Sequence, residues 1–208
     1  MQKIHVFDMD GTLIDSMSHI IRSILQILEE DHIPYGPEII DTVIPLGYPR
    51  TAELFRSMGA KGTVEEIVAR FMTILRHEYA NNIPLKPGVA DYLRKLKAEG
   101  RQLCVLTGSP HILTDVCLQR NGIYDLFDRV WSVDDFGISK AEPAIYHEVE
   151  QLLQRSPADL CLYDDNLAAI TTAGSVGWYT CAVKDCQSAS TLEEMQRTAN
   201  TYITSFEL

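Results

Sequence analysis

Two pairs of carboxylates have a spacing that could support chemistry. Asp8 and Asp10 lie two residues apart directly after an apolar run, so an extended backbone would point both side chains the same way. Gly11 follows and allows the chain to turn sharply. A second pair, Asp164 and Asp165, follows another apolar run far along the chain. Four carboxylates that share one site need a cation to stay ionised, and hard oxygen ligands of this kind suit Mg²⁺.

A hydroxyl and an amine occur at comparable places in the sequence. Thr107 and Gly108 follow the largely apolar run at 102–106, and Lys140 comes some residues after the run at 130–132. Hydroxyl and ammonium groups suit phosphate oxygens. A metal, a phosphate and an adjacent carboxylate nucleophile together imply phosphoryl transfer through an aspartyl-phosphate. A second carboxylate would protonate the leaving alcohol and later deprotonate water, an effect typically worth about 10²–10⁴-fold in rate.

The elements that must position these residues alternate along the chain. Strands are predicted at Ile4–Phe7, Gln102–Leu106, Val130–Ser132, Leu160–Tyr163 and Trp178–Ala182, with a short sixth at Tyr202–Ile203. The first five have apolar residues at consecutive positions, which is typical of a parallel sheet covered on both faces. Helical patterns separate them, so we predict an α/β fold with a doubly wound parallel sheet. Ligands bind at the carboxyl ends of the strands in such sheets, where the polar residues named above are expected to meet.

One stretch interrupts the alternation with helical patterns only. Helices are predicted at Ser18–Glu30, Pro49–Ser57 and Val64–Tyr79, separated by loops rich in proline and glycine. We therefore predict an α/β catalytic core of residues 1–15 and 84–208, interrupted by an all-helical cap of residues 16–83. Arg50 lies at the start of the second of these helices, in a stretch, residues 47–50, that is interpreted as the loop leading into it, and is a candidate for contact with a substrate anion.

The order of these motifs resembles a known family. The chain reads DMDGTL at 8–13, LTGS at 106–109, Lys140 ahead of Pro143, and Asp-Asp at 164–165. This is similar to the four motifs of the haloacid dehalogenase-like (HAD) hydrolase superfamily, which has a Rossmann-like core. The resemblance covers almost the whole chain. The helical insert resembles the C1 cap of the phosphoglycolate phosphatase-like branch.

The resemblance implies a role for each motif residue in phosphoryl transfer. Asp8 would be the nucleophile, and Asp10 the general acid and base. Thr107, with Gly108 beside it, and Lys140 would hold the phosphoryl group. The acid at position 10 argues against the dehalogenase branch, which lacks it.

The resemblance also implies a set of metal ligands. Mg²⁺ would be held by Asp8, the backbone carbonyl of Asp10 and Asp164, with Asp165 in support. Two departures from the family pattern occur near these residues. Lys140 is followed by Ala-Glu-Pro rather than Pro-x-Pro, and Tyr163 stands where a glycine is usual, while a later acid is replaced by alanine.

The predicted function is that of a cytoplasmic, Mg²⁺-dependent phosphatase acting on a small phosphorylated metabolite, with the cap closing over the substrate. Two alternatives remain open. A phosphomutase for sugar phosphates could use the same core if the cap held a second phosphate. A non-catalytic phospho-switch is the other, because receiver-like domains also gather acids, threonine and lysine at one sheet edge.

Other polar residues are given no catalytic role. Ser109 and His111 flank a proline but lack the Gly-x-Ser-x-Gly context of a serine nucleophile. Asp134 and Asp135 precede Phe-Gly and are interpreted as a turn. A zinc site at Cys181 and Cys186 is disfavoured by the spacing.

Composition and charge limit the possible partners. The chain has 208 residues, of which 46% are apolar and 23% charged, as in ordinary globular proteins. The formal net charge of −11, without a compact basic patch, disfavours nucleic acid and anionic membranes as partners. No run of roughly 18 apolar residues is present, so no spanning helix is expected. Five cysteines, an odd number without a CxxC pair, favour a reducing cytoplasm.

Overall fold

The computed structural model describes residues 3–44, 46–185 and 191–207. The chain divides into two compact units, one formed by Met1–Ser16 with Pro84–Leu208 and the other by Met17–Ile83. The first unit contains the sheet. The second, as far as it is described, is helical and contains no strand.

The sheet of the first unit is parallel throughout. Its strands are β1 (Ile4–Phe7), β2 (Gln102–Thr107), β3 (Arg129–Ser132), β4 (Leu160–Asp164), β5 (Tyr179–Val183) and β6 (Thr201–Ile203). They lie in the order β3-β2-β1-β4-β5-β6, with every neighbouring pair parallel. The chain therefore adds β2 and β3 on one side of β1, and then β4, β5 and β6 on the other side. This is the doubly wound α/β sheet that the sequence predicts, and the prediction is confirmed.

The helices follow the two units. Those of the second unit are α1 (Met17–Glu30), α2 (Ile39–Val43), α3 (Gly47–Ser57) and α4 (Val64–Asn81). Those of the first unit are α5 (Val89–Ala98), α6 (His111–Arg120), α7 (Pro143–Leu153), α8 (Leu167–Ser175) and α9 (Leu192–Thr198). No helix among the described residues is both long enough and apolar enough to cross a bilayer.

Both faces of the sheet are covered, which explains the unbroken apolar runs. Val6 and Leu162 lie on one face in a buried cluster with Tyr146 of α7. On the other face the rings of Phe7 and Tyr163 stack with centroids 4.4 Å apart. The ring of Tyr92 from α5 meets the ring of Tyr163 edge to face, with centroids 6.1 Å apart. Burying each such side chain is worth about 1.5–3 kcal/mol, so the two faces together hold the strands in place.

The second unit has its own apolar core. The rings of Phe55 from α3 and Phe71 from α4 meet edge to face, with centroids 5.7 Å apart. The start of α4 is fixed by a capping box, in which the Thr63 hydroxyl accepts from the Glu66 N–H and the Glu66 carboxylate accepts from the Thr63 N–H. This arrangement satisfies two backbone donors that a helix start otherwise leaves open.

Several predicted bounds differ from the structure by one or two residues, and one helix was not predicted. β2 and β4 each extend one residue further, so Thr107 and Asp164 end their strands rather than follow them. The helix α2 was not predicted, because a five-residue helix shows too little periodicity. Arg50 was predicted in a loop but lies in the first turn of α3, which begins at Gly47 and tolerates Pro49 because a first-turn N–H needs no intrahelical partner.

The cysteines of the described residues carry free, buried thiols: Cys104, Cys117, Cys161 and Cys181. Burial raises the pKa of Cys104, Cys117 and Cys181 to about 12, so these thiols are protonated and behave as small apolar side chains. Cys186, the other half of the disfavoured zinc pair, lies outside the described residues.

Candidate active site

The strand order reverses between β1 and β4, and the acidic residues lie at this reversal. Asp8 is the first residue after β1, and its N–H donates to the carbonyl of Tyr163 at 2.8 Å. Asp164 is the last residue of β4. In doubly wound sheets the crevice outside such a reversal is where ligands bind. The topology therefore brings together two carboxylates that are far apart along the chain.

Lys140 connects these two carboxylates. Its Nζ lies 2.5 Å from Oδ1 of Asp8 and 2.8 Å from Oδ2 of Asp164. The side chains of Asp8 and Asp164 are only 7% and 1% exposed, and that of Lys140 is 14% exposed. Buried charges of one sign are costly unless they are paired, so the ammonium stabilises both acids. The loop that carries it is fixed by Tyr146, whose hydroxyl donates to the Lys140 carbonyl at 2.8 Å.

The electrostatics of this cluster favour a bound cation. Burial raises the pKa of Asp8 well above its usual range against the attraction of Lys140, and the charges of Asp164 and Asp165 add to the rise. Burial opposes the charge on Lys140, but Asp164 and Asp8 outweigh it and raise the pKa of the ammonium. One lysine thus leaves an excess of negative charge. A divalent cation would reverse the pKa shift of Asp8, because it stabilises the ionised carboxylates.

Three acids present oxygen atoms close enough for a single ion. One carboxylate oxygen from each of Asp8, Asp164 and Asp165 lies within 4.8 Å of the others. Asp165 is held in place by the Thr12 hydroxyl, which donates to its Oδ1 at 3.0 Å. Hard oxygen donors in a compact, negatively charged group fit Mg²⁺. The structure thus brings together three of the four acids that the sequence predicts at the metal.

The Asp10 side chain points elsewhere. Its Oδ2 accepts a hydrogen bond from the Ser109 hydroxyl at 2.6 Å. Ser109 is buried, and its N–H donates to Oγ1 of Thr107 at 3.1 Å. The metal prediction used only the backbone carbonyl of Asp10, and the contact of its carboxylate with Ser109 does not conflict with that prediction.

Ser109 is a residue near the site to which the sequence assigned no role. It was given no role, yet it contacts the predicted general acid and shares a loop with the predicted phosphate ligands. The available signal was its position two residues after Thr107, at the end of the same strand. The Gly-x-Ser-x-Gly pattern identifies serine nucleophiles and gives no information about a serine that acts as a hydrogen-bond donor.

The predicted phosphate ligands lie at two neighbouring places on the same edge. Thr107 is fully buried at the end of β2, and Gly108 is exposed in the loop that follows it. Because the Thr107 oxygen accepts from the Ser109 N–H, its hydroxyl proton remains to donate to an anion. Arg50, the predicted specificity residue, is exposed on α3 of the second unit.

A second lysine also contacts the loop after β1. The Nζ of Lys86 donates to the carbonyl of Gly11 and, at 2.7 Å, to the carbonyl of Lys184. It also lies 2.9 Å from Oδ1 of Asp185. Neither Lys86 nor Asp185 was singled out from the sequence, because no motif links them.

Comparison with known proteins shows the family. The sequence model of the haloacid dehalogenase-like hydrolases matches residues 5–183. The chain belongs to this family, which confirms both the resemblance drawn from the four motifs and the prediction that the protein is an enzyme of the hydrolase class.

Individual relatives are more distant. Pyrophosphatase PpaX of Bacillus velezensis is 27% identical over 192 residues, which cover 90% of this chain and 88% of the relative. CbbY from Rhodobacter sphaeroides, solved in complex with phosphate, is 20% identical with a TM-score of 0.83 over 100% of this chain and 96% of CbbY. YfnB from Bacillus subtilis, solved bound to magnesium, is 17% identical with a TM-score of 0.80 over 99% of this chain and 96% of YfnB. These two structures share the fold.

Proposed function

We propose that this protein is a Mg²⁺-dependent phosphatase that hydrolyses a small phosphomonoester of the cytoplasm through an aspartyl-phosphate on Asp8. The observation that supports the proposal most is the arrangement around this residue. Its buried carboxylate lies 2.5 Å from the Lys140 ammonium and belongs to a cluster of three acids. These contacts support a site in which the nucleophile, a cationic phosphate ligand and the cation would lie side by side.

In the first step, an oxygen of Asp8 attacks phosphorus, and the bond between phosphorus and the alcohol oxygen breaks. Asp10 gives its proton to that leaving oxygen. Lys140 and Thr107 hold the phosphoryl oxygens, on which negative charge is concentrated throughout. The alcohol then departs, and the phosphoryl group remains bound to Asp8.

In the second step, water takes the place of the alcohol. Asp10, now ionised, accepts a proton from this water as the water oxygen attacks phosphorus. The bond between phosphorus and the Asp8 oxygen breaks, inorganic phosphate leaves, and both carboxyl groups return to their starting protonation states. One residue thus serves as acid and then as base, as a double displacement requires.

Mg²⁺, held by Asp8, Asp164 and Asp165 with the Asp10 carbonyl, would neutralise charge on the phosphoryl oxygens and allow the anionic nucleophile to approach. The magnesium bound to the related fold of YfnB is consistent with this assignment. The chain's own acids supply the hard oxygen donors that such an ion prefers.

The core of residues 1–15 and 84–208 would supply the chemistry, and the helical unit of residues 16–83 would act as a cap that selects the substrate and excludes water. Arg50 on this unit is the proposed contact for a second anionic group of the substrate. Substitution of Arg50 should then raise KM for substrates that carry such a group and leave KM for simple phosphomonoesters unchanged.

Pyrophosphate is a second candidate substrate. The relative PpaX is named a pyrophosphatase and aligns with 90% of this chain. The same double displacement applies, with phosphate rather than an alcohol as the leaving group. A panel of phosphometabolites that includes pyrophosphate would rank the substrate classes by kcat/KM.

The decisive experiment compares Asp8→Asn with Asp91→Asn, an acid on the exposed surface of α5. Phosphate release from p-nitrophenyl phosphate with Mg²⁺ should fall to background in the first variant, because an amide is a poor nucleophile, and should be unchanged in the second. Circular dichroism and thermal unfolding check that both variants fold. An Asp8→Asn protein that is folded and active would refute the proposal.

Product analysis separates the two alternative functions. With glucose phosphates as substrates, isomer formation without phosphate release would indicate a phosphomutase. Phosphorylation by acetyl phosphate that stops at one equivalent and persists would indicate a phospho-switch. Repeated release of phosphate, many equivalents per protein, is the result expected for a phosphatase.

A further inference from the structure

We propose that Lys86 is a positioning residue of the cation site, which holds the loop after β1 in the conformation that Asp165 needs to bind a divalent cation. The inference rests on the proposed function, because it concerns the same cation. It assigns a role to a lysine outside the four motifs.

Lys86 uses its whole donor capacity on one small region. An ammonium has three N–H donors, and its Nζ contacts three acceptors: the carbonyls of Gly11 and Lys184 and the carboxylate of Asp185. The Lys86 side chain is 13% exposed and that of Asp185 is 2% exposed. A buried, fully bonded ion pair of this kind holds its partners in one geometry.

The contact joins two segments that flank the metal acids. Gly11 follows directly after Asp10, and Asp185 follows the end of β5. The backbone of Lys86 is attached as well, since its N–H donates to the Leu13 carbonyl at 2.9 Å. Lys86 therefore connects the loop after β1 to the segment that follows β5.

This loop is in direct contact with Asp165. Gly11 has a φ of +73°, and a Cβ added there would lie 2.7 Å from the Asp165 carboxyl carbon. The next residue, Thr12, donates its hydroxyl to Asp165. A shift of the Gly11 carbonyl would thus move the surface that orients Asp165.

A positioning role and a purely electrostatic role of Lys86 predict opposite changes in the Kd for Mg²⁺ when the lysine is replaced. Removing the Lys86 charge makes the site more negative, so electrostatics alone would tighten cation binding. Losing the three contacts of the Lys86 ammonium would instead loosen the loop after β1 and weaken cation binding. Partners behind metal ligands typically affect metal affinity by about 10- to 100-fold when removed.

The test is the thermal midpoint of the full chain as a function of Mg²⁺ concentration, from which the Kd follows by linkage. We expect the Kd for Mg²⁺ to rise at least tenfold in Lys86→Met. The matched control is Lys97→Met, which removes a lysine paired with Asp128 at 3.0 Å on α5 and should leave the Kd unchanged. An unchanged or lower Kd in Lys86→Met would overturn the inference, even if the midpoint without Mg²⁺ fell.

Lys86→Arg keeps the test valid if the methionine variant does not fold. Arginine keeps the charge but spreads its donors over a planar fork, whereas the three acceptors converge on one nitrogen. We expect weaker Mg²⁺ binding in this variant too, and a Kd equal to that of the wild type would count against the positioning role of Lys86. If the wild type itself shows no stabilisation by Mg²⁺, the proposed cation fails rather than this inference alone.

Discussion

The Ser109 hydroxyl donates to Oδ2 of Asp10 at 2.6 Å, and this contact joins the loop after β2 to the loop after β1. The serine is itself anchored, because its N–H donates to Thr107 at 3.1 Å. The predicted proton-transfer group and a predicted phosphate ligand are thus held by one residue. Their relative position depends on a short chain of hydrogen bonds rather than on two independent loops.

Ser109→Ala should lower kcat about tenfold or more with a smaller effect on KM. A hydrogen bond to a charged group is worth about 1.5–3 kcal/mol, and its loss removes one of the contacts that orient the Asp10 carboxylate. Steady-state kinetics with p-nitrophenyl phosphate measure the effect. The control is Ser175→Ala, whose hydroxyl donates to the Thr172 carbonyl of the same helix at 2.7 Å. Equal kcat values for Ser109→Ala and wild type would contradict the role.

Gly11→Ala should abolish most activity, whereas Gly122→Ala should not. Both glycines have positive φ, +73° and +67°, so alanine at either position pays a left-handed backbone penalty of about 1–2 kcal/mol. Only at Gly11 would the new methyl group collide with Asp165. Thermal unfolding should show a similar backbone cost in both variants, and phosphate release should separate them. Full activity in Gly11→Ala would show that Asp165 can move without consequence.

Thr63→Ala should destabilise the helical unit by about 0.5–2 kcal/mol through loss of the capping box at α4. Urea unfolding, followed by circular dichroism, measures the change. Thr73→Ala is the control on the same helix, because its hydroxyl bonds an internal carbonyl at 2.9 Å rather than an open helix end. If both variants lose the same free energy of unfolding, the cap contributes nothing specific.

His111 should make stability depend on pH. Asp135, at 2.9 Å, raises the pKa of the His111 imidazole against the opposing effect of burial, and Asp115 adds to the rise. A raised folded-state pKa means that the stabilisation is complete below the unfolded pKa of about 6.5 and is lost as pH rises through the folded value.

His111→Gln should therefore be less stable than wild type near pH 5.5, and the difference should shrink towards pH 9. The effect should be modest, because the His111 side chain is 41% exposed and solvent screens the pair. Urea unfolding of both proteins across this range is the measurement. A difference that does not vary with pH would mean that the imidazole charge does not contribute.

The sequence predicts the position of the site better than its internal contacts. Asp8, Thr107 and Asp164 could be placed on one sheet edge because each follows or ends an apolar run, and parallel strands bring such ends together. Lys140 could be placed there less directly, since it lies in a loop some residues after its predicted strand, and the resemblance supports the same position. Its contacts with Asp8 and Asp164 agree with that placement.

The contacts that sequence reasoning missed depend on loop geometry. Ser109 reaches Asp10, and Lys86 reaches Asp185, across 99 residues in each case, and neither pair lies on a common strand or helix. Tyr163 was noted only as a departure from the family pattern. It packs on Phe7 and fills the space beneath the site, because a ring in β4 lies opposite a ring at the matching register of β1.

The place of β1 between β2 and β4 has a consequence for synthesis. A nascent chain that has not yet reached residue 160 lacks the strand that flanks β1 on one side and the carbonyl of Tyr163 that accepts from the Asp8 N–H. Asp8 is synthesised well before Asp164 and Asp165, because more than 150 residues separate them along the chain. If these acids form the active site as proposed, activity can arise only after β4 has been made and has paired with β1.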